Sequence, residues 1–149
     1  MKRKTIYSFL TFVLALAFGL CAIACFGKDD SASNGTLRAS VVQSEEGFVV
    51  IKVDSVEGEV TLVQVMDYLQ DEGELSFVIG SDGMVNEING QVNNTVIWTP
   101  FWYLYTSDEE MSNTQWGTAS YGDIVCGSAM FGAESLTVLS GAYYIWEYK

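Results

Sequence analysis

Two stretches, Phe48-Val-Val-Ile-Lys-Val-Asp54 and Val60-Thr-Leu-Val-Gln-Val-Met-Asp-Tyr-Leu-Gln70, decide the fold, because the hydrophobic period changes between them. In the first, alternation sets Val49, Ile51 and Val53 on one face and Phe48, Val50, Lys52 and Asp54 on the other, the pattern of a strand with one wholly apolar side. In the second, Leu62, Val65, Met66 and Leu69 recur at helical spacing on a single face. Thr61 and Gln64 are spaced as a capping box, and Val60 with Val65 as the hydrophobic staple around it. Gly73 supplies a left-handed stop. The spacing predicts one helix over 60–70, its apolar stripe turned to the core.

Downstream the elements shorten. Leu75-Ser-Phe-Val-Ile79 and Met84-Val-Asn-Glu-Ile88 read as strands around Gly80-Ser-Asp-Gly83, and Asn89-Gly90 reads as a type I′ turn, since both residues tolerate positive φ. Pro100 opens the run Phe101-Trp-Tyr-Leu-Tyr105, in which Phe101, Tyr103 and Tyr105 share one face and Trp102 and Leu104 the other. Further strands are predicted over 123–126, 135–139 and 143–148. Strands following one helix, without a βαβ rhythm, predict an α+β domain with the helix packed on a mixed sheet and extra β-hairpins.

Upstream, Lys2, Arg3 and Lys4 form a positive region before an almost wholly apolar run from Ile6 to Ala24. That is the layout of a secretory signal. The run ends in Ala22-Ile23-Ala24-Cys25, which resembles a bacterial lipobox and places a lipid on Cys25. Ala22 stands where a Leu is usual, and the run approaches the roughly 20 apolar residues that span a bilayer, so an uncleaved anchor is the alternative. Both readings set the following domain outside the membrane. Residues 1–25 are thus read as a signal peptide. Residues 26–45, clearest in Gly27-Lys-Asp-Asp-Ser-Ala-Ser-Asn-Gly-Thr36, are read as a flexible tether, and 46–149 as one folded domain.

Charge narrows the partners. After Cys25 the basic residues are Lys28, Arg38, Lys52 and Lys149, against 19 Asp and Glu. Such a surface repels phosphate backbones and anionic headgroups, so no nucleic acid partner is expected. With Cys21 and Cys25 in the leader, Cys126 is the lone thiol of the exported part and reads as a small buried hydrophobe. The chain has no histidine, which removes Ser-His-Asp and Cys-His arrangements and leaves no zinc site. Asp108-Glu-Glu110 and Ser81-Asp-Gly83 lack the alternating acidic spacing of a calcium loop. No catalytic residue, metal or cofactor is expected.

Aromatics carry the case for binding. Four Trp, eight Tyr and eight Phe include several outside the leader, and Tyr and Trp join a large apolar face to a polar tip. Trp102 and Trp146, on predicted strands, read as core. Trp98 and Trp116 stand in loop contexts beside Thr99-Pro100 and Gly117 and are the candidate ligand contacts, with Phe101 and Tyr121 behind them.

The order Gly58-Glu-Val-Thr-Leu62 into a helix, then Gly83-Met-Val85, Ile88-Asn-Gly90, Trp102-Tyr-Leu-Tyr-Thr-Ser107 and the ending Gly141-Ala-Tyr-Tyr-Ile-Trp-Glu-Tyr148, resembles the transcobalamin-like C-terminal domain. The resemblance covers most of 46–149. It implies a β-grasp-like fold, found in bacterial surface proteins and in vitamin B12 carriers. In those carriers a separate helical barrel completes the clamp on cobalamin; no such barrel is legible here, and half a clamp forgoes much of the buried area, so cobalamin is not expected. The expected function is that of an exported, membrane-anchored, non-catalytic domain. It would capture a small molecule or polymer outside the cell through an aromatic cleft; the alternative is an interaction or structural module that meets another surface protein.

Overall fold

The computed structural model describes residues 36–149 other than Trp98. The leader, Cys25 and Trp98 therefore lie outside the described residues. Among the described residues nine strands and one α-helix follow one another: β1 (Arg38–Glu45), β2 (Phe48–Ser55), α1 (Leu62–Asp71), β3 (Phe77–Ile79), β4 (Val85–Ile88), β5 (Gln91–Val92), β6 (Trp102–Thr106), β7 (Ser112–Tyr121), β8 (Ile124–Ala129) and β9 (Tyr143–Tyr148). A 3₁₀ turn, Glu109–Met111, precedes β7.

The helix forms where its period predicts. The Thr61 N–H donates to Gln64 Oε1 at 2.9 Å, satisfying a donor the first turn would leave orphaned. At the other end Gly73 adopts φ 77°, and the Glu74 N–H returns to the Leu69 carbonyl at 2.9 Å. Leu62, Val65, Met66 and Leu69 are fully buried, each contributing about 1.5–3 kcal/mol by leaving water. They meet Val49, Ile51 and Val53 of β2 and Tyr144 and Trp146 of β9, so one alternating face of the large sheet is the main core.

The sheet corrects the expected fold class. Six strands run in the order β1-β2-β9-β6-β8-β7 and three more in the order β3-β4-β5. Every pairing in both is antiparallel. Strands make up 48% of the described residues and helix 12%, so the domain is β-rich with a single covering helix, not an α+β, β-grasp-like fold on a mixed sheet. The reason is topological. A parallel pair needs a crossover that returns the chain to the same sheet, whereas α1 leads from β2 into the separate small sheet and bridges no parallel neighbours.

Three elements depart from the sequence reading. The end of the supposed tether is β1, an edge strand paired with β2 from Arg38↔Ser55 to Glu45↔Phe48. Segment 112–121, which shows no strand alternation in the sequence, is the longest strand among the described residues, β7. Segment 135–139 makes only an isolated bridge, Thr137 to Thr61, although Leu136 and Val138 are buried.

The second face of the large sheet carries a smaller core. Val50, Tyr105 and Ile145 alternate away from the helix and meet Ala119 and Cys126, with Phe48, Tyr121, Ile124 and Tyr143 packed around them. The β7–β8 hairpin supplies this cover: β8 pairs with β6 only at Tyr105↔Ser128 and Thr106↔Gly127.

Candidate functional site

The two sheets are stitched together at one end, and the stitching shapes a cleft. Asn93, 5% exposed, donates through Nδ2 to the Val85 carbonyl at 2.8 Å and accepts from the Trp102 N–H at 2.8 Å. The Trp102 indole N–H reaches the Gln91 carbonyl at 2.8 Å. The β4–β5 turn, Asn89 at φ 49° and Gly90 at φ 83°, is the type I′ geometry that Asn-Gly favours. It leaves the Asn89 amide free to bridge: Oδ1 accepts from the Ser76 N–H at 2.9 Å and Nδ2 donates to Ser44 Oγ at 3.1 Å. The amide thereby ties the small sheet to the end of β1.

Between these turns lies a concavity of about 540 Å³, within the size range of small-molecule sites. Val49, Ile88 and Trp102 form its apolar wall; Ser44, Glu45, Glu46 and Gln91 line its polar side. Its charge is uncompensated. Among the described residues the ion pairs are Lys52–Asp54 and Lys149–Glu147, both at 2.6 Å, while Arg38 stands at the far end of β1. Glu45 accepts from Gln43 Nε2 at 2.8 Å. The site offers acceptors beside an apolar wall, which suits a ligand rich in hydroxyl or amine donors.

Of the ligand candidates among the described residues, Phe101, Trp116 and Tyr121, none lines this cleft. Phe101, Trp116 and Tyr121 lie instead on or beside the second face of the large sheet. The Phe101 and Tyr103 rings meet edge-on at 6.2 Å, and Tyr121 packs on Tyr143 at 5.9 Å. Trp116, 65% exposed, stands on a bulge of β7. Sequence reasoning missed Glu45 and Glu46, given to the tether and its boundary, and read Trp102 as core. Trp102 is indeed buried at 4% exposure, yet it also walls the cleft. The available signal was Asn89-Gly90, which fixes the turn above it.

No family model, curated protein or solved structure matches this chain.

Burial pushes the Cys126 thiol up to about 11, so it is a weak nucleophile at neutral pH. Asp108 Oδ1 accepts from the Glu110 N–H at 3.0 Å and Asp82 Oδ1 from the Met84 N–H at 3.1 Å, so both acidic loops spend a carboxylate oxygen on their own backbone. Among the described residues no three His, Cys, Asp or Glu side chains converge as a metal site, and no helix is long and apolar enough to cross a membrane.

Proposed function

We propose that this chain is an extracytoplasmic binding domain, held at a membrane through a lipid on Cys25, that takes a small molecule or the end of a polymer into the cleft between the β1–β2 and β4–β5 turns. The observation that carries this reading is the cleft itself, about 540 Å³ with acceptors on one side and Trp102, Val49 and Ile88 on the other. The signal-like leader ending in Ala22-Ile23-Ala24-Cys25 supports export and anchoring. The excess of acid favours neutral or cationic ligands over anionic ones.

The anchoring half is tested by labelling bacterial cells that express the chain with an alkyne fatty acid. The chain takes up label, and Cys25→Ser loses it; label retained in Cys25→Ser refutes anchoring at that residue. The binding half is tested by thermal shift and tryptophan fluorescence against corrinoids, glycans and peptides. A saturable shift that Gln91→Ala or Glu46→Gln abolishes, with an unchanged melting temperature in the absence of ligand, supports the cleft. A panel that moves nothing overturns it.

A second reading has its own observation. Val92, Val96 and Ile97, on the segment that follows the β4–β5 turn, are 56%, 87% and 65% exposed. The N–H groups of Val96 and Ile97 both turn onto Asn94 Oδ1, at 3.2 and 3.3 Å. Exposed aliphatics held in this way suit contact with a surface protein. Crosslinking from position 96 in intact cells tests it, and the absence of any protein adduct counts against it.

A further inference from the structure

The face of the large sheet away from the helix carries an arrangement that the cleft does not use. Phe101, Tyr103 and Tyr105 alternate onto this face along β6, so successive rings advance by roughly 7 Å. Tyr103 is 41% exposed. Lys149 Nζ stands 5.7 Å from the Tyr103 ring and 5.0 Å from the Tyr105 ring, and is held by Glu147 Oε2 at 2.6 Å. Beyond Tyr105 comes the β7 bulge. Its register jumps from Asn113↔Ser128 to Thr118↔Gly127, so residues 114–117 have no partners in β8. The sheet does not need these residues for pairing, and they set Trp116 in solvent at 65% exposure. The bulge is fixed at both ends: Asn113 Oδ1 accepts from the Gln115 N–H at 2.9 Å, and Gly117, at φ 138°, lies against Tyr105, where a Cβ would stand 3.7 Å from the ring. Bulges of this kind re-aim side chains.

We propose that this face is a second binding surface and that it takes the flat side of a neutral polysaccharide, with Trp116 and the exposed ring of Tyr103 as stacking rings and the Lys149–Glu147 pair beside Tyr103 as hydrogen-bonding centre. Charge selects the class. A polyanion meets an acidic domain whose cation at this face is already neutralised by Glu147. A cationic ligand meets like charge, since Lys149 Nζ stands 5.7 Å and 5.0 Å from the Tyr103 and Tyr105 ring centroids. A dry apolar partner or a lipid surface would have to strip water from the Lys149–Glu147 pair, which costs more than the pair returns. A hydroxylated neutral chain keeps that pair hydrogen-bonded while its C–H faces cover the rings.

The proposal is independent of the cleft, and its test separates the two. The full chain, in a sugar-free nonionic detergent, is run on native gels containing hydroxyethyl cellulose, amylopectin or laminarin, with carboxymethyl cellulose as the anionic counterpart. Retardation is expected in at least one neutral gel and not in the anionic one. Trp116→Ala is expected to weaken it about tenfold, the scale of one lost stacking ring. Tyr103→Ala is expected to act in the same direction, and Glu46→Gln, in the cleft, to leave it unchanged. Normal mobility in all three neutral gels overturns the proposal, as does retardation that survives Trp116→Ala together with Tyr103→Ala. A crosslink from position 116 to another protein in cells, with no glycan retardation, reassigns the face to protein contact and equally overturns it.

Discussion

Replacing Cys126 by Ala is expected to make the stability difference between the two proteins reverse with pH. Cys126 is fully buried in the second core, with Sγ 4.0 Å from the Tyr143 carbonyl, and burial raises its thiol from an ordinary 9.0 to about 11. The native state therefore holds this proton more tightly than the unfolded chain does. The stability tied to it is complete below pH 9 and is lost as pH rises through 11. Integrating between those two values, the native protein loses about 2 kcal/mol by about pH 10.5, at 1.36 kcal/mol for each pH unit. The Ala variant has no such loss, but it gives up about 1 kcal/mol of packing at every pH. The parent is thus the more stable by about 1 kcal/mol at pH 8 and the less stable by a similar margin near pH 10.5. Lys52, Lys149 and Tyr144, also raised, are common to both proteins and cancel in the difference. The assay is urea unfolding followed by tryptophan fluorescence under reducing conditions at several values from pH 7.5 to 10.5. A difference that stays constant across this range refutes the reasoning.

Asn89→Ala removes the amide that joins Ser76 to Ser44 and puts a residue ill suited to φ 49° in the turn; a loss of about 1–3 kcal/mol is expected by urea unfolding, together with weaker binding in the cleft. Glu74→Ala uncaps the Val41 N–H, which Glu74 Oε2 accepts at 2.8 Å on the open side of β1, so concentration-dependent association is expected by light scattering. Leu69→Ala, fully buried between α1 and the sheet, is expected to cost about 2–5 kcal/mol, read as a lower urea midpoint at unchanged slope.

What the sequence discloses depends on how much of an element's stability resides in its side chains. Helix α1 was legible because four buried residues repeat at its own period and Thr61 and Gln64 mark its start. The β4–β5 turn was legible because Asn89-Gly90 names its geometry. Strand β1, Arg-Ala-Ser-Val-Val-Gln-Ser-Glu, was not, since Ala39 is its one buried residue and its place is set by backbone pairing with β2. Strand β7 hid for the same reason: its Ser, Thr, Asn and Gln are mostly exposed, and the bulge at 114–117 breaks any alternation. Segment 135–139 misled in the opposite sense, because Leu136 and Val138 are buried under the helix without a ladder to join. The cleft was invisible because two turns far apart in sequence create it, and neither turn carries a motif for it. The mixed sheet failed as an expectation because local pattern says where strands are and not which neighbour each one chooses.

The position of β9 has a consequence for how the chain is made. This strand follows all the others in sequence yet lies between β2 and β6 at the middle of the large sheet. Until it arrives, β1–β2 and β6–β8–β7 are two fragments without a common ladder, and the face that receives α1 lacks Tyr144 and Trp146. A polypeptide emerging amino end first, from a ribosome or through a narrow pore, thus cannot complete its large sheet until β9 has emerged and entered the gap.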